Sequence, residues 1–168
     1  MRKAQAALEF LTTYGWAFLV ILIMIGALAY FGVLNPGGLL PARCTFSPEI
    51  SCIEHRVIAD PTNQVEFRFR NNVGQMADFS FDATELSTNQ KVTCTFTEPT
   101  SNPDCTAAPG TNCQLRAGRV GGVLCDFSTT PTILPAGDKV KFELNATYIR
   151  TGGSYPTPVK GEIYAEAQ

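Results

Sequence analysis

The N-terminal stretch MRKAQAALEFLTTYGWAFLVILIMIGALAYFGVLNPGG (residues 1–38) sets an apolar segment apart from the rest of the chain. Phe10 to Leu34 gives 25 consecutive uncharged and mostly apolar positions. As a helix this run would measure roughly 37 Å, which exceeds the bilayer hydrocarbon core of about 30 Å. The stretch therefore predicts a long N-terminal hydrophobic α-helix that spans a membrane.

One carboxylate, Glu9, lies directly beside the apolar run, and the basic residues Arg2 and Lys3 precede it. A carboxylate near a helix start is favoured by the helix dipole and can reach the membrane interface, so an interfacial Glu9 is one interpretation. A secretory signal cut after Ala29 is another, but such signals have apolar regions of about 7–15 residues. The length of this run favours a helix that is retained.

The stretch RKAQAALEFL (residues 2–11) resembles the processing region of archaeal type IV pilin-like proteins. Those proteins have a short basic leader, a small residue before the cleavage site, and a glutamate four residues beyond the new N-terminus. The elements Tyr-Gly-Trp and Ala-Tyr-Phe-Gly of the apolar run are similar to the same family. The resemblance implies a leader over residues 1–4, cleavage by a prepilin peptidase between Ala4 and Gln5, and a retained helix over residues 5–34.

The same resemblance implies a structural subunit of an archaeal type IV pilus-like extracellular filament. Its helix would lie in the membrane before assembly and in the filament core afterwards, with Glu9 and Phe10 at the start of the assembly surface. Glu9 would pair with the amine of Gln5 from a neighbouring subunit, because a paired charge is tolerated in an apolar core and sets register. The implied partners are further copies of the chain, the prepilin peptidase and the assembly platform.

Two alternatives use the same sequence without a filament. A single-pass membrane-anchored binding module or adhesin would keep the helix and would not polymerise. A secreted domain released at Ala29 would lose the helix altogether. Substitution of Glu9 separates the first alternative from the filament, since an anchored module does not need that carboxylate.

Composition limits the function of the remaining chain. The protein has 168 residues, a formal net charge of −2 and 17% charged residues, with no basic stripe of the kind that binds nucleic acid. The segment NPGGLLPAR (residues 35–43) predicts a hinge, because proline and glycine interrupt a helix. By the positive-inside tendency, the basic leader predicts that the domain over residues 44–168 lies outside the cell.

All six cysteines fall in this outer domain, and an even number in an oxidising compartment predicts disulfides. No Cys-x-x-Cys pair is present, so neither a structural zinc site nor any other metal or cofactor is expected. Six cysteines allow 15 connectivities. We expect the pairs Cys44–Cys52, Cys94–Cys125 and Cys105–Cys113.

Several stretches of the outer domain alternate apolar and polar residues with the period of a half-buried strand. They are QVEFRFR (64–70), MADFSFDA (76–83), LPAGDKVKFELNATYI (134–149) and VKGEIYAEA (159–167). The turn residues NNVG (71–74) predict that the first two form a hairpin, whereas residues 98–122 are loop-like. About seven or eight short strands predict an all-β, immunoglobulin-like β-sandwich head stapled by disulfides.

No constellation of catalytic residues is evident, so an enzyme is not expected. His55 is the sole histidine and is interpreted as an ordinary strand residue. The stretch GRVGG (118–122) is not a phosphate-binding motif, and acidic pairs such as Asp78 and Asp82 should face solvent. The sequon Asn145-Ala146-Thr147 predicts a glycosylation site on the outward face of its strand.

Overall fold

The computed structural model describes residues 2–30, 40–97 and 112–168. The chain divides into two compact units, Met1–Leu40 and Pro41–Gln168. The first unit contains helix α1 (Arg2–Tyr30). The described part of the second unit contains ten strands: β1 (Arg43–Phe46), β2 (Ile50–Ile58), β3 (Gln64–Asn71), β4 (Ala77–Glu85), β5 (Gln90–Thr93), β6 (Thr95–Phe96), β7 (Asn112–Leu115), β8 (Val120–Asp126), β9 (Lys139–Arg150) and β10 (Thr157–Glu166).

Helix α1 corrects the predicted fold class. Within the described residues, no helix combines the length and the apolar character needed to cross a membrane. The apolar side chains of α1 that the structure describes without a gap run from Tyr14 to Tyr30. This segment is about 25 Å long, which is shorter than a hydrocarbon core of about 30 Å. The predicted membrane-length hydrophobic helix is therefore wrong. Residues 31–34 of that prediction and 35–39 of the predicted hinge lie outside the described residues.

The strands form two antiparallel sheets that pack face to face, which confirms the predicted β-sandwich with disulfides. In the first sheet the strand order is β1-β10-β9-β4-β5, and β7 also pairs with β4. In the second sheet the order is β2-β3-β8-β6. β1 and β2, which follow each other along the chain, thus lie at the edges of different sheets.

The core between the sheets is built largely from phenylalanine rings. Strict alternation along β3 buries Val65, Phe67 and Phe69, and alternation along β4 buries Phe79 and Phe81. Edge-on ring pairs cross between the sheets, with centroid distances of 5.2 Å for Phe69–Phe79 and 4.8 Å for Phe69–Phe81. Aromatic pairs of this geometry add about 0.5–1.5 kcal/mol each beyond the area that they bury.

The predicted hairpin between β3 and β4 is wrong, because these strands belong to different sheets. β3 pairs with β2 and β8, whereas β4 pairs with β5, β7 and β9. The two strands meet through their inward rings, not through backbone hydrogen bonds. The chain between them is consequently an arch from one sheet to the other.

Asn71 holds this arch in place with a fully buried side chain. Its amide nitrogen donates to the carbonyl oxygens of Gln75 at 2.9 Å and Leu115 at 2.7 Å. Its amide oxygen accepts a hydrogen bond from the backbone nitrogen of Val73 at 2.8 Å. The Asn71 side chain therefore makes hydrogen bonds both within the arch and to β7.

The stretch predicted to be a loop over residues 98–122 contains strand structure at its C-terminal end. β7 and the first residues of β8 lie there, joined by a turn at Gly118, whose φ of 74° favours glycine. Residues 98–111 lie outside the described part of the chain. The segment KVTCTFT (91–97) contains the end of β5 and all of β6, and it crosses from the first sheet to the second at Cys94.

Glu85 is a buried carboxylate at the end of β4. Its oxygens accept hydrogen bonds from the backbone nitrogens of Ser87 at 2.8 Å and Thr88 at 2.7 Å, and from both hydroxyls of these residues. Burial by itself raises the pKa of Glu85, but the hydrogen bonds outweigh it and hold the pKa below the ordinary value of 4.5. The ionised carboxylate therefore stabilises the β4–β5 turn.

We expect Glu85→Gln to lower the free energy of unfolding at pH 7 by about 1–3 kcal/mol. The amide NH₂ group of the new side chain would face N–H and O–H donors of Ser87 and Thr88, which now donate to the carboxylate. Since the folded-state pKa lies below the unfolded one, the stability from Glu85 is present above the unfolded pKa. It is lost as pH falls through the folded pKa. Urea unfolding between pH 3 and 7, roughly the range of carboxyl titration, should show a smaller loss on acidification in Glu85→Gln than in wild type. Glu166→Gln, at an exposed position on β10, is the control and should keep the wild-type profile.

Candidate functional site

The most unusual surface of the molecule is the apolar surface of α1, defined here as the side chains from Tyr14 to Tyr30. From Phe18 to Ile25 every residue is a large apolar side chain with a relative exposure between 40% and 63%. Eight consecutive residues cover all sides of a helix, since one turn takes 3.6 residues. The apolar surface of α1 therefore encircles the helix and does not form a single stripe.

The predicted processing and assembly residues lie on the first half of α1. The backbone is helical at Ala4, Gln5, Glu9 and Phe10. The side chain of Glu9 is exposed, and the Thr12 hydroxyl donates to the Glu9 backbone oxygen at 3.1 Å. The side chains of Ala4, Gln5 and Phe10 lie outside the described ones, so the roles of these residues stay predictions.

Two of the three expected disulfides are present among the described residues. Cys44–Cys52 joins β1 to β2 and thereby links the edge of the first sheet to the edge of the second. Cys94–Cys125 lies in the core, where both residues are fully buried. Cys113 is also disulfide-bonded, and its expected partner Cys105 lies outside the described residues.

A β-bulge in β2 gives His55 a position that alternation alone does not predict. Cys52 lies opposite Phe69 and Glu54 lies opposite Arg68, so Ile53 is an extra residue in β2. The bulge shifts the alternation by one, and Cys52 and His55 consequently face the same side. One ring nitrogen of His55 and the sulfurs of Cys44 and Cys52 lie within 4.8 Å of one another.

His55 is partly buried in this cluster of Cys44, Cys52 and His55. Its Nε2 atom is buried and has no hydrogen-bond partner among the described residues. Desolvation lowers the pKa of His55 below its ordinary value of 6.5, which favours the neutral imidazole near neutral pH. The sequence interpretation of His55 as an ordinary strand residue missed its position beside the disulfide.

The outer faces of both sheets carry carboxylates that are paired with cations. A shallow groove of about 350 Å³ on the second sheet contains the ion pairs Glu54–Arg68 at 3.0 Å and Arg56–Glu66. On the first sheet, a hydrogen bond from Lys141 and the charge of Arg43 hold the pKa of Glu162 below its ordinary value. Glu54, Glu66 and Glu162 are therefore all engaged in surface ion pairs.

Asn145 lies on β9 between the buried residues Leu144 and Ala146, and its own side chain is half-buried on the outer face. It is opposite Lys160 of β10 and Asp82 of β4. A glycan on Asn145 would therefore cover the centre of the outer face of the first sheet. Occupancy of this sequon stays a prediction.

Comparisons with known proteins supply only distant similarity in shape. No family model matches the chain, and no curated protein matches it. Among solved structures, a Bordetella pertussis protein named as ApaA matches 73% of this chain and 94% of its own, at 12% identity and a TM-score of 0.38. A FixG-related protein from Vibrio parahaemolyticus matches 74% of this chain and 96% of its own, at 11% identity and a TM-score of 0.34.

Proposed function

We propose that this chain is a structural subunit of an extracellular filament of the archaeal type IV pilus class and that it polymerises through α1. The observation that supports this proposal is the apolar surface of α1, which is exposed on every side of the helix. A helix that is hydrophobic all round is buried in its working state. The subunit therefore needs a partner that encloses α1.

Further copies of the same chain are the partner that fits. Identical helices present matching apolar surfaces and can pack closely through small residues such as Gly15 and Gly26, which have no neighbouring atoms within 4 Å of an added Cβ. An association that repeats from subunit to subunit without closing produces an open helical polymer. The resemblance of residues 2–11 to pilin processing regions is the reason for choosing this class of filament.

In this proposal a prepilin peptidase cuts between Ala4 and Gln5 and leaves an amine at Gln5. Glu9, whose side chain is exposed on α1, then pairs with that amine in a neighbouring subunit. Each charge of the pair neutralises the other, so neither group is buried as an unpaired charge in the apolar core. The assembly platform that builds the filament is the second protein partner.

The β-sandwich is the displayed part of the proposed subunit. Its hydrophobic core is built entirely from residues of one chain. Its disulfides are typical of an oxidising compartment. Five carboxylates of its outer faces are engaged in ion pairs, which supports a structural role over catalysis; they are Glu54, Glu66, Asp82, Glu143 and Glu162. We therefore place the sandwich outside the cell, on the filament surface.

The proposal predicts that Ile23→Asp prevents assembly. The full chain, cleaved at Gln5, would be purified in mild detergent and allowed to assemble as the detergent is diluted. Wild type should give filaments by electron microscopy and sedimentation. A carboxylate in the apolar filament core costs about 3 kcal/mol, so Ile23→Asp should raise the critical concentration about a hundredfold.

Ile133→Asp is the matched control, since Ile133 on the sandwich is 69% exposed and Ile23 is 62% exposed. The control should assemble like wild type. Glu9→Gln should also assemble poorly, because it leaves the Gln5 amine without its countercharge. Equal assembly of Ile23→Asp and Ile133→Asp, or a wild-type chain that binds vesicles and never forms filaments, would show the proposal to be wrong.

A further inference from the structure

Cys44, Cys52 and His55 form the one group of three metal-ligating side chains found within the described residues. The three residues come from β1 and β2, at the edge where the two sheets are linked. Each is partly buried, so the cluster is sheltered yet within reach of small solutes. The cluster lies within the second unit, and metal binding there does not require filament assembly.

Two features of the cluster are not explained by a disulfide staple alone. A staple needs only Cys44 and Cys52, yet the bulge at Ile53 turns the chain's sole histidine toward them. The buried Nε2 atom of His55 also has no hydrogen-bond partner in the described part of the chain. Leaving a buried polar atom unsatisfied is unfavourable, and bulges commonly re-aim a side chain next to a functional site.

The donor set is one that zinc prefers. Zinc binds cysteine thiolate at about 2.3 Å and histidine nitrogen at about 2.0–2.1 Å, so tetrahedral ligands lie roughly 3.5–3.8 Å apart. The three ligand atoms already lie within 4.8 Å of one another. Small side-chain rotations after the sulfurs separate would bring them to this spacing.

We propose that the dithiol form of this cluster binds one Zn²⁺ through Cys44, Cys52 and His55, and that the Cys44–Cys52 disulfide closes the site. A solvent water occupies the fourth position, as in zinc sites with three protein ligands. The protein therefore has two exclusive states of the same residues. One state is a covalent staple, and the other is a metal centre.

The conversion between the states is a thiol–disulfide exchange with a small dithiol as reductant. The dithiol gives two electrons and two protons, the bond between the two Sγ atoms breaks, and the reductant becomes a cyclic disulfide. Zn²⁺ then replaces the two thiol protons, which pass to solvent. His55 binds as the neutral imidazole and exchanges no electrons.

Of the two bridges that the structure describes in full, Cys44–Cys52 is the one that a reductant reaches first. Cys44 and Cys52 are partly accessible, whereas Cys94 and Cys125 are fully buried. Exchange requires a thiolate to reach a sulfur of the disulfide. Limited treatment with a dithiol should therefore open Cys44–Cys52 while the core bridge stays closed.

Cobalt titration of the full chain tests the proposal, since Co²⁺ substitutes for Zn²⁺ and reports thiolate ligands and tetrahedral geometry by absorption. The chain would be prepared oxidised, and also after limited reduction by a dithiol that is then removed without oxygen. We expect the reduced chain to bind one Co²⁺ with a thiolate charge-transfer band, and Zn²⁺ to displace it. The oxidised chain should bind none.

Three variants separate this site from other thiols and from damage to the fold. Cys44→Ser/Cys52→Ser should abolish the charge-transfer band while it keeps the remaining cysteines. His55→Ala and His55→Gln should each weaken Co²⁺ binding about tenfold or more and change the tetrahedral bands. Both histidine variants keep the cysteines, and their unfolding curves verify that the sandwich is intact.

Three results would overturn the proposal. The first is a reduced wild-type chain that binds no more Co²⁺ than the oxidised one. The second is a charge-transfer band that survives in Cys44→Ser/Cys52→Ser. The third is wild-type affinity and spectrum in both His55 variants, which would leave the histidine without a role in binding.

Discussion

Asn71→Asp should lower the free energy of unfolding of the sandwich by about 3–5 kcal/mol at pH 7. The change replaces the nitrogen that donates to the Gln75 and Leu115 carbonyl oxygens by a second acceptor. At this fully buried position a carboxylate would face two carbonyl oxygens without a countercharge, and such an arrangement is strongly destabilising. Urea unfolding at pH 7 measures the loss directly.

The loss in Asn71→Asp should also depend on pH. Burial beside carbonyl oxygens raises the folded-state pKa of the new carboxyl above its unfolded value of about 3.9. The difference from wild type is therefore smallest below the unfolded pKa, and it grows as pH rises toward the folded pKa. Asn112→Asp, at an exposed position on β7, is the control. A change below about 1 kcal/mol for Asn71→Asp would contradict the role of Asn71 in the arch.

Cys94→Ala/Cys125→Ala is the second change with a large expected effect. The bridge spans 31 positions, and the chain-entropy model assigns roughly 3.5 kcal/mol to a closed loop of that length. Both residues are fully buried, so removal of the sulfurs also leaves unfilled volume in the core. We expect the midpoint of thermal unfolding to fall by about 10–15 °C.

Cys44→Ala/Cys52→Ala provides the comparison for that result. This bridge spans only 8 positions, for which the same model gives about 2.5 kcal/mol. The two residues are also less buried than the core pair, so less packing is lost. If the short bridge proved as important as the long one, strain or residual structure in the unfolded chain would outweigh loop length.

The alternation of apolar and polar residues predicted much of the sandwich because a half-buried strand has a period of two. In β9 it identified Phe142, Leu144 and Ala146 as inward residues, and all three are buried. In β3 it did the same for Val65, Phe67 and Phe69. Such a pattern states which face a residue takes. It does not state which strand lies beside it.

The error between β3 and β4 shows that limit. NNVG is a typical hairpin turn, and the two flanking strands both place phenylalanine inward. The arch is held instead by Asn71, which donates to the carbonyl oxygen of Leu115, 44 positions away in the chain. A contact of that range has no signal in the local sequence.

The position of His55 was missed for a different reason. Strict alternation from Cys52 would place His55 on the opposite face, and the bulge at Ile53 reverses this. A signal was nevertheless available. Cys52 and Val57 are both residues suited to a core, yet an odd number of positions separates them, which indicates a change of phase inside the strand.

The N-terminus was predicted from charge and apolar length, and only part of that prediction fits. The helix is present as α1, but no membrane-length apolar helix occurs in the described ranges. The run of uncharged residues from Phe10 to Leu34 reports the composition of the chain and not the length of a helix. Of that run, the structure describes helix as far as Tyr30, and residues 31–34 lie outside the described residues.

The link between β1 and β2 also determines how the sandwich responds to mechanical tension. A force that pulls on the chain from the α1 side enters the sandwich at β1, which has only four residues paired with β10. Peeling of β1 reaches Cys44 after Arg43 and must stop there, because Cys44 is covalently bonded to Cys52. From that point the disulfide transmits part of the load to β2 at the edge of the second sheet, so both sheets resist it.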